Sequence, residues 1–434
     1  MTVQRIEMTG QRIEPFRALL YNRAIAGEPA TVVAPPYDLI GAARQSELYD
    51  RSQYNIVRLE FGRDADRYGA AAATMREWLG AGVLRRLERP AIFHYTQRFT
   101  IEGRNLVRSG LIARIRLEPF AAGRILPHER TFPAAKEDRL KLLTAIRTNT
   151  SSIFGLYSGQ HPELDRLRAA VAARAPLIEL TDDLSIRNEL RVIDEPAEVA
   201  AIQAALATPR VLIADGHHRY ETALNYQRIR RAAGIPPVPQ GFDYTMMTMV
   251  ACEDPGLVIL PTHRVVHRLR PQAISAFAAE ARKAFVVEEI ADRDTLRARL
   301  HAAGRGSLAI ALKGHRAQYL LRIDGRAAVD AAIPEAPPEV RELDVTLLHT
   351  MIFDRIFSLK AAEIRKGGNI EYTIDTAAAL DAVASGAADG AFLMNPPSIE
   401  DVERVSDAGA TMPEKSTYFH PKLLTGLVMN PLDD

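Results

Sequence analysis

The chain has 434 residues, enough for two or three domains with sizeable cores. It is 47% apolar and 25% charged, which excludes a disordered chain, and its formal net charge of +1 lacks the basic excess that nucleic-acid binding usually leaves. The single cysteine, Cys252, excludes a disulfide framework and a cysteine-based zinc site.

Gln4, Arg5, Glu7 and Arg12 interrupt any apolar run at the start, so no signal peptide is expected. The longest uncharged apolar stretch, Tyr244 to Cys252, is too short to cross a bilayer. These features predict a soluble cytoplasmic protein with no membrane partner. Phe16 to Tyr21 opens the fold, and Val32 to Asp38 reads as a strand run into a rigid turn by Pro35 and Pro36. Asn55 to Phe61 alternates like a strand, with Arg58 and Glu60 on one face. Residues 64–81 read as an amphipathic helix whose Trp78 is core. Two strands, Ala91 to Thr100 and Leu106 to Leu117, meet at a Glu102-Gly103-Arg104-Asn105 hairpin turn.

A polar cluster follows: Pro127-His128-Glu129-Arg130-Thr131, then Lys136, Asp138, Arg139 and Lys141, ahead of a helical stretch from Arg139 to Ile146. A solvated loop is the plain reading. Its position after an apolar strand end is also where α/β sheets build sites. Glu129 is then a candidate base or metal ligand, and Arg130, Lys136 and Arg139 are candidate phosphate ligands.

Strands at Ser152 to Tyr157 and Ser185 to Ile193 flank a helix at 162–174, and a helix at Glu198 to Leu206 leads to the central box. There, Val211-Leu212-Ile213-Ala214 reads as a buried strand, Gly216 permits a sharp turn, and a helix begins near His218. Asp215, His217, His218 and Arg219 therefore sit where a strand hands over to a helix N-terminus, a place that favours anions. Arg219 can fork onto a phosphate, and Asp215 can hold a metal or accept a proton.

After a strand at Thr245 to Ala251, Leu257 to Arg264 reads as a strand ending in a proline turn and the polar pair His263 and Arg264. Residues 268–335 read as a small α/β subdomain: helices at 271–284 and 292–303, strands at 307–313 and 316–323. Helices at 343–357, 375–387 and 398–408 and a short strand at Gly390 to Met394 lead to a last polar block, Met412 to Lys422. Its Lys415-Ser416-Thr417 lacks the preceding glycines of a phosphate-binding loop. Arginine, lysine and histidine with few acids across these clusters suit a polyanionic small molecule such as a nucleotide with Mg²⁺, and argue against nucleic acid as a partner.

Ala34-Pro35-Pro36-Tyr37-Asp38, Pro127 to Thr131, Asp138-Arg139, Ala214 to Ala223, Pro261 to Arg264 and Met412 to Thr417, in this order, resemble the signature blocks of the bacterial domain-of-unknown-function family 1015. The Asp-Gly-His-His-Arg box is similar to the nucleotide-phosphate box of ParB and sulfiredoxin proteins, a fold shared by free serine kinases. The resemblance implies a mixed α/β (α+β) fold: a ParB/sulfiredoxin-like core over 1–267, a small α/β subdomain over 268–335, and a helical C-terminal segment, 336–434, returning Lys415-Ser416-Thr417 toward the site.

It also implies ATP- and Mg²⁺-dependent phosphorylation of a small hydroxy metabolite, free L-serine above all. Asp215 or Glu129 would activate the hydroxyl or hold Mg²⁺, and His217 and His218, with Arg219, would grip the phosphates at the catalytic centre. Gly216, His218, Arg219, Arg130, Lys136, Arg139, His263 and Arg264 would bind nucleotide (ATP or ADP). Tyr37, His128, Thr131, Lys415, Ser416 and Thr417 would bind substrate. Two other readings stay open: a ParB-like nucleotide-binding regulator and a metal-dependent phosphoserine phosphatase. The oligomeric state is open too, a homodimer included.

Overall fold

The computed structural model describes residues 12–235, 239–360, 363–364 and 368–433. Gln4, Arg5 and Glu7, read above against a signal peptide, lie outside the described residues. The chain forms two compact units: Met1–Pro127, Thr131–Val258 and Pro421–Asp434 make the first, His128–Arg130 and Ile259–His420 the second. Both mix helices and strands, as the α/β reading expects. Among the described residues no helix is long and apolar enough to cross a membrane.

The first unit is built on a nine-stranded mixed sheet. Its strands run in the order Ile125–Leu126, Val211–Asp215, Ile153–Tyr157, Tyr244–Ala251, Arg104–Arg116, Ile92–Ile101, Arg187–Ile193 and Ile178–Thr181, with Ile13–Glu14 on the edge of the long hairpin strand. The hairpin at Glu102 and Gly103 forms as expected, both turn residues taking positive φ. The 244–251 strand is buried along its whole length, which explains why it reads as an unbroken apolar run. The Pro133–Ile146 and His217–Ala232 helices pack on each other, and a separate cluster collects around Trp78.

Two expectations in this unit fail for a shared reason. Asn55 to Phe61 is not a strand: Val57–Glu60 is a helical turn. The Asn55 side chain donates to Thr31 O and Val33 O and accepts the Val57 N–H at 3.0 Å, capping the turn. Ile56, Val57 and Leu59 all reach the Trp78 cluster, which a strand face could not achieve. Val32 to Asp38 likewise starts as the end of a Pro29–Val32 helical turn. Only Ala34 pairs as a bridge, with Thr425, before a Tyr37–Leu39 3₁₀ turn. The helix expected from Arg139 begins earlier, with Pro133 in its first turn.

The second unit holds a six-stranded sheet in the order Phe285–Ile290, Gln318–Ile323, Ser307–Leu312, Gly390–Met394, His263–Val266 and Ile370–Thr373. His263 and Arg264 therefore open a strand rather than close one: Val258–Leu260 stops at Pro261 and pairing resumes two residues later. The Phe285–Ile290 and Ile370–Thr373 strands were not expected, because their patterns carry charges and exposed positions. The helix expected over 343–357 is an α turn, Asp344–Leu347, continued as a π-helical stretch, Leu348–Asp354.

Candidate functional site

Asp215 ends a strand that runs parallel to Ile125–Leu126 and antiparallel to Ile153–Tyr157, with a bulge between Ile213 and Asp215. Gly216 follows at φ 93°, and the 16-residue helix starts at His217. A Cβ on Gly216 would lie 2.9 Å from Arg219 Nη2, so the glycine serves both the turn and the seat of the guanidinium. Tyr220 is fully buried, and its hydroxyl donates to Glu118 O at 2.8 Å, pinning the first turn of the helix.

Asp215 Oδ2 is 3.1 Å from Lys422 Nζ, and Asp215 Oδ1 is 4.0 Å from Arg219 Nη2. Arg219 Nη1 also donates to Ser152 O at 2.6 Å. Burial alone would raise the Asp215 carboxyl, but the charges of Lys422 and Arg219 outweigh it and hold the group well below the usual carboxylate range. A carboxylate held that low has little drive to take a proton near neutral pH and is suited to holding a cation. Lys422 is itself positioned from behind. The buried Arg108 donates to Gln97 Oε1 and Pro421 O, and Gln97 Nε2 donates to Lys422 O at 3.1 Å. Arg108 lies 4.6 Å over the Phe154 ring, and burial lowers it to about 10.

The flanks of the box helix are also specified. His218 Nε2 accepts the Phe132 N–H at 2.9 Å and its ring stacks on Phe132. His217 is buried. Thr131 and Lys136 both bind Glu221, at 2.8 and 2.7 Å. Arg139 is buried against Glu60 at 3.0 Å and Asp138 at 2.5 Å, with the Tyr37 ring 4.1 Å from its guanidinium carbon. Glu60 in turn accepts from Thr150. A small cavity of about 40 Å³ lies among Arg219, Arg139, Glu60, Thr150 and Thr222. A larger cleft of about 550 Å³ runs beside the helix, lined by Phe120, Pro133, Lys136, Leu224, Asn225 and Arg228.

The second unit gathers the remaining candidates around its last polar block. Glu129 Oε1 accepts the Lys415 N–H at 2.5 Å, with Lys415 at φ 54°. His128, fully buried, is 3.0 Å from Thr417 Oγ1, Arg130 donates to Thr411 Oγ1 at 3.1 Å, and Ser416 donates to Pro413 O. Arg264 is fully buried, donates to Lys415 O at 3.0 Å, and is lowered by that burial to about 10. His263 bonds Thr376 Oγ1 at 2.9 Å, and burial, aided by Arg264, lowers it to about 4. Arg264 thus braces the 414–417 turn, whereas His263 is turned toward Thr376 and Met394. Among the described residues, no group of three or more His, Cys, Asp or Glu is placed to hold a metal ion.

A family model described as a protein of unknown function, DUF1015, matches residues 13–346. The chain belongs to this family. No curated protein matches it. Among solved structures, a free serine kinase variant in complex with ADP is matched at 12% identity and TM-score 0.35, covering 71% of this chain and 87% of that one. A conserved hypothetical protein from Pyrococcus furiosus is matched at 14% identity and TM-score 0.33, covering 71% and 90%. SbnI with a C-terminal truncation, from Staphylococcus aureus, is matched at 10% identity and TM-score 0.34, covering 72% and 85%. At these values the likeness carries no conclusion about activity.

Within this DUF1015 chain, the candidates fall into two groups. Asp215, Gly216, His217, His218, Arg219, Thr131, Lys136, Arg139 and Tyr37 lie in the first unit, and Glu129, Arg130, His128, His263, Arg264, Lys415, Ser416 and Thr417 in the second. Three residues that sequence reasoning passed over belong beside the first group. Lys422 is the nearest cation to Asp215, yet 207 positions separate them and no spacing connects them. Arg108 lies inside the strand run read from Leu106 to Leu117, where the sequence gives it no role. Glu60 was assigned to a strand face, and only its burial beside Arg139 reveals it.

Proposed function

We propose that this protein is an ATP- and Mg²⁺-dependent phosphotransferase that acts on a small hydroxy metabolite, with free L-serine as the first acceptor to test. The observation that carries the reading is the ionised Asp215, held between Lys422 and Arg219 at the N-terminus of the 217–232 helix. Phosphoryl transfer asks a protein mainly for positioning and charge stabilisation, and this cluster supplies both. The first-turn N–H groups of the helix, with Lys422 and Arg219, suit anionic phosphate oxygens. Asp215 suits the metal ion, since Mg²⁺ takes one or two protein carboxylates and completes its shell with phosphate and water. Bound Mg²⁺ and ATP would supply the phosphoryl group and part of the charge neutralisation. His218, bonded to the Phe132 N–H, would orient the site. The ParB/sulfiredoxin-like character of the box belongs to the same proposal.

Mass spectrometry of mixtures of protein, ATP, Mg²⁺ and single hydroxy amino acids tests it. A phosphorylated acceptor whose formation Arg219→Ala abolishes supports it. Nucleotide binding without any phosphorylated acceptor would replace it with the ParB-like regulatory reading.

A further inference from the structure

The second unit contains a cleft of about 290 Å³, just under the usual range for small-molecule sites of about 300–1,000 Å³. Its apolar side includes Val345, Met394 and Pro397, and its polar side includes Asp344, Asn395 and Arg305. The walls also bring in Glu342 and Asp401, so three carboxylates face one guanidinium.

The bonding of these groups decides what the cleft can recognise. Arg305 is committed to Asp401 and lies 3.5 Å from Glu342, which Arg404 also holds at 2.9 Å. Asp401 and Ser398 close a capping box on each other's backbone. Ser416 donates to Pro413 O. Asn395 spends both amide protons on Leu300 O and Gly304 O, each at 3.1 Å, which leaves its carbonyl oxygen as an acceptor. Asp344 Oδ1 accepts the Gly306 N–H at 2.7 Å, and no group among the described residues bonds its second oxygen. Burial pushes the Asp344 carboxyl up to about 6, as expected of a carboxylate short of partners. The Asn395 amide protons and the Ser416 hydroxyl are used within the protein and Arg305 is turned onto Asp401 and Glu342, while Asn395 Oδ1 and the second Asp344 oxygen remain as acceptors.

We propose that this cleft binds a small molecule carrying a protonated amine on a short apolar stem, with the ammonium donating to Asp344 and Asn395. An ammonium has three donors and no acceptor, which matches the two unspent acceptor oxygens of Asp344 and Asn395 in a cleft where carboxylates outnumber the guanidinium. The inference does not rest on the phosphotransferase reading.

Calorimetric titration of the full chain with ethanolamine tests it, with ethylene glycol, propionate and Mg²⁺ as comparisons. Saturable binding of ethanolamine is expected, with none of the three comparisons as tight. Asp344→Asn is expected to weaken it at least about tenfold, the loss of one charge-assisted hydrogen bond. The introduced amide oxygen can still accept from Gly306 N–H. His301→Trp, at an exposed position lining the cleft, is expected to weaken binding by steric block and decides the matter if the first variant does not fold. Absence of saturable ethanolamine binding overturns the proposal. So does equal or tighter binding of any comparison, or unchanged affinity in a folded Asp344→Asn or His301→Trp protein.

Discussion

At the residue scale, the site depends on how Asp215 is kept charged. Lys422 is its nearest cation, at 3.1 Å, so Lys422→Met should raise the Asp215 pKa. Carboxyl carbon NMR titration of the two proteins checks this, and an unchanged value would remove Lys422 from the site. The sign for stability follows. Because the folded pKa is depressed, Asp215 stabilises the fold above its unfolded value of about 4. That contribution fades as the pH falls toward the folded value, and Lys422→Met should flatten this acid limb. Gly216 carries a second prediction. At φ 93°, and with an added Cβ 2.9 Å from Arg219 Nη2, Gly216→Ala should destabilise by about 1–3 kcal/mol in urea titration. A cost near zero would mean that the turn relaxes without strain. The glycine and Arg219 were legible in the sequence, because a strand, a glycine and a helix start in a row leave few geometries. Lys422 was not, because nothing local records a partner that far along the chain.

At the scale of elements, the strand–turn–helix unit was legible and the Asn55 to Phe61 turn was not. Alternation reports a two-faced strand only when one face is wet, and here Ile56, Val57 and Glu60 are all buried. The helical turn presents Glu60 to Arg139 on the Pro133–Ile146 helix, joining two elements by a pair that is 3% and 5% exposed on its two sides. Truncating one partner of such a pair leaves the other charge buried and uncompensated. Arg139→Met should therefore destabilise by about 3–5 kcal/mol in a denaturant titration. A loss below about 1 kcal/mol would show that Glu60 is rescued by protonation or by Thr150. The placement of Arg139 also shows why an arginine in a polar run is ambiguous: the sequence records the charge but not the buried acid that consumes it.

At the scale of the molecule, the mixed α/β class was implied by the family resemblance and agreed with the strands and helices read along the chain, whereas the grouping of strands into two sheets was not legible. The charged 285–290 and 370–373 segments pair only because the 263–266 and 318–323 strands offer them edges, a non-local fact. Each unit has its own apolar clusters, and Leu393 lies fully buried in that of the second. Leu393→Ala should cost about 2–5 kcal/mol. By hydrogen exchange, it should lower protection in the six-stranded sheet more than in the nine-stranded sheet. Equal loss in both would mean that the units unfold as one.

Phosphoryl transfer by the Asp215 cluster is the proposal on which the functional reading stands. Phosphorus NMR of wild-type and Asp215→Asn protein with ATP, Mg²⁺ and L-serine tests it most directly. A new phosphomonoester resonance with the wild type, and its loss in the variant, is the predicted result. A phosphomonoester formed equally well by Asp215→Asn would contradict it.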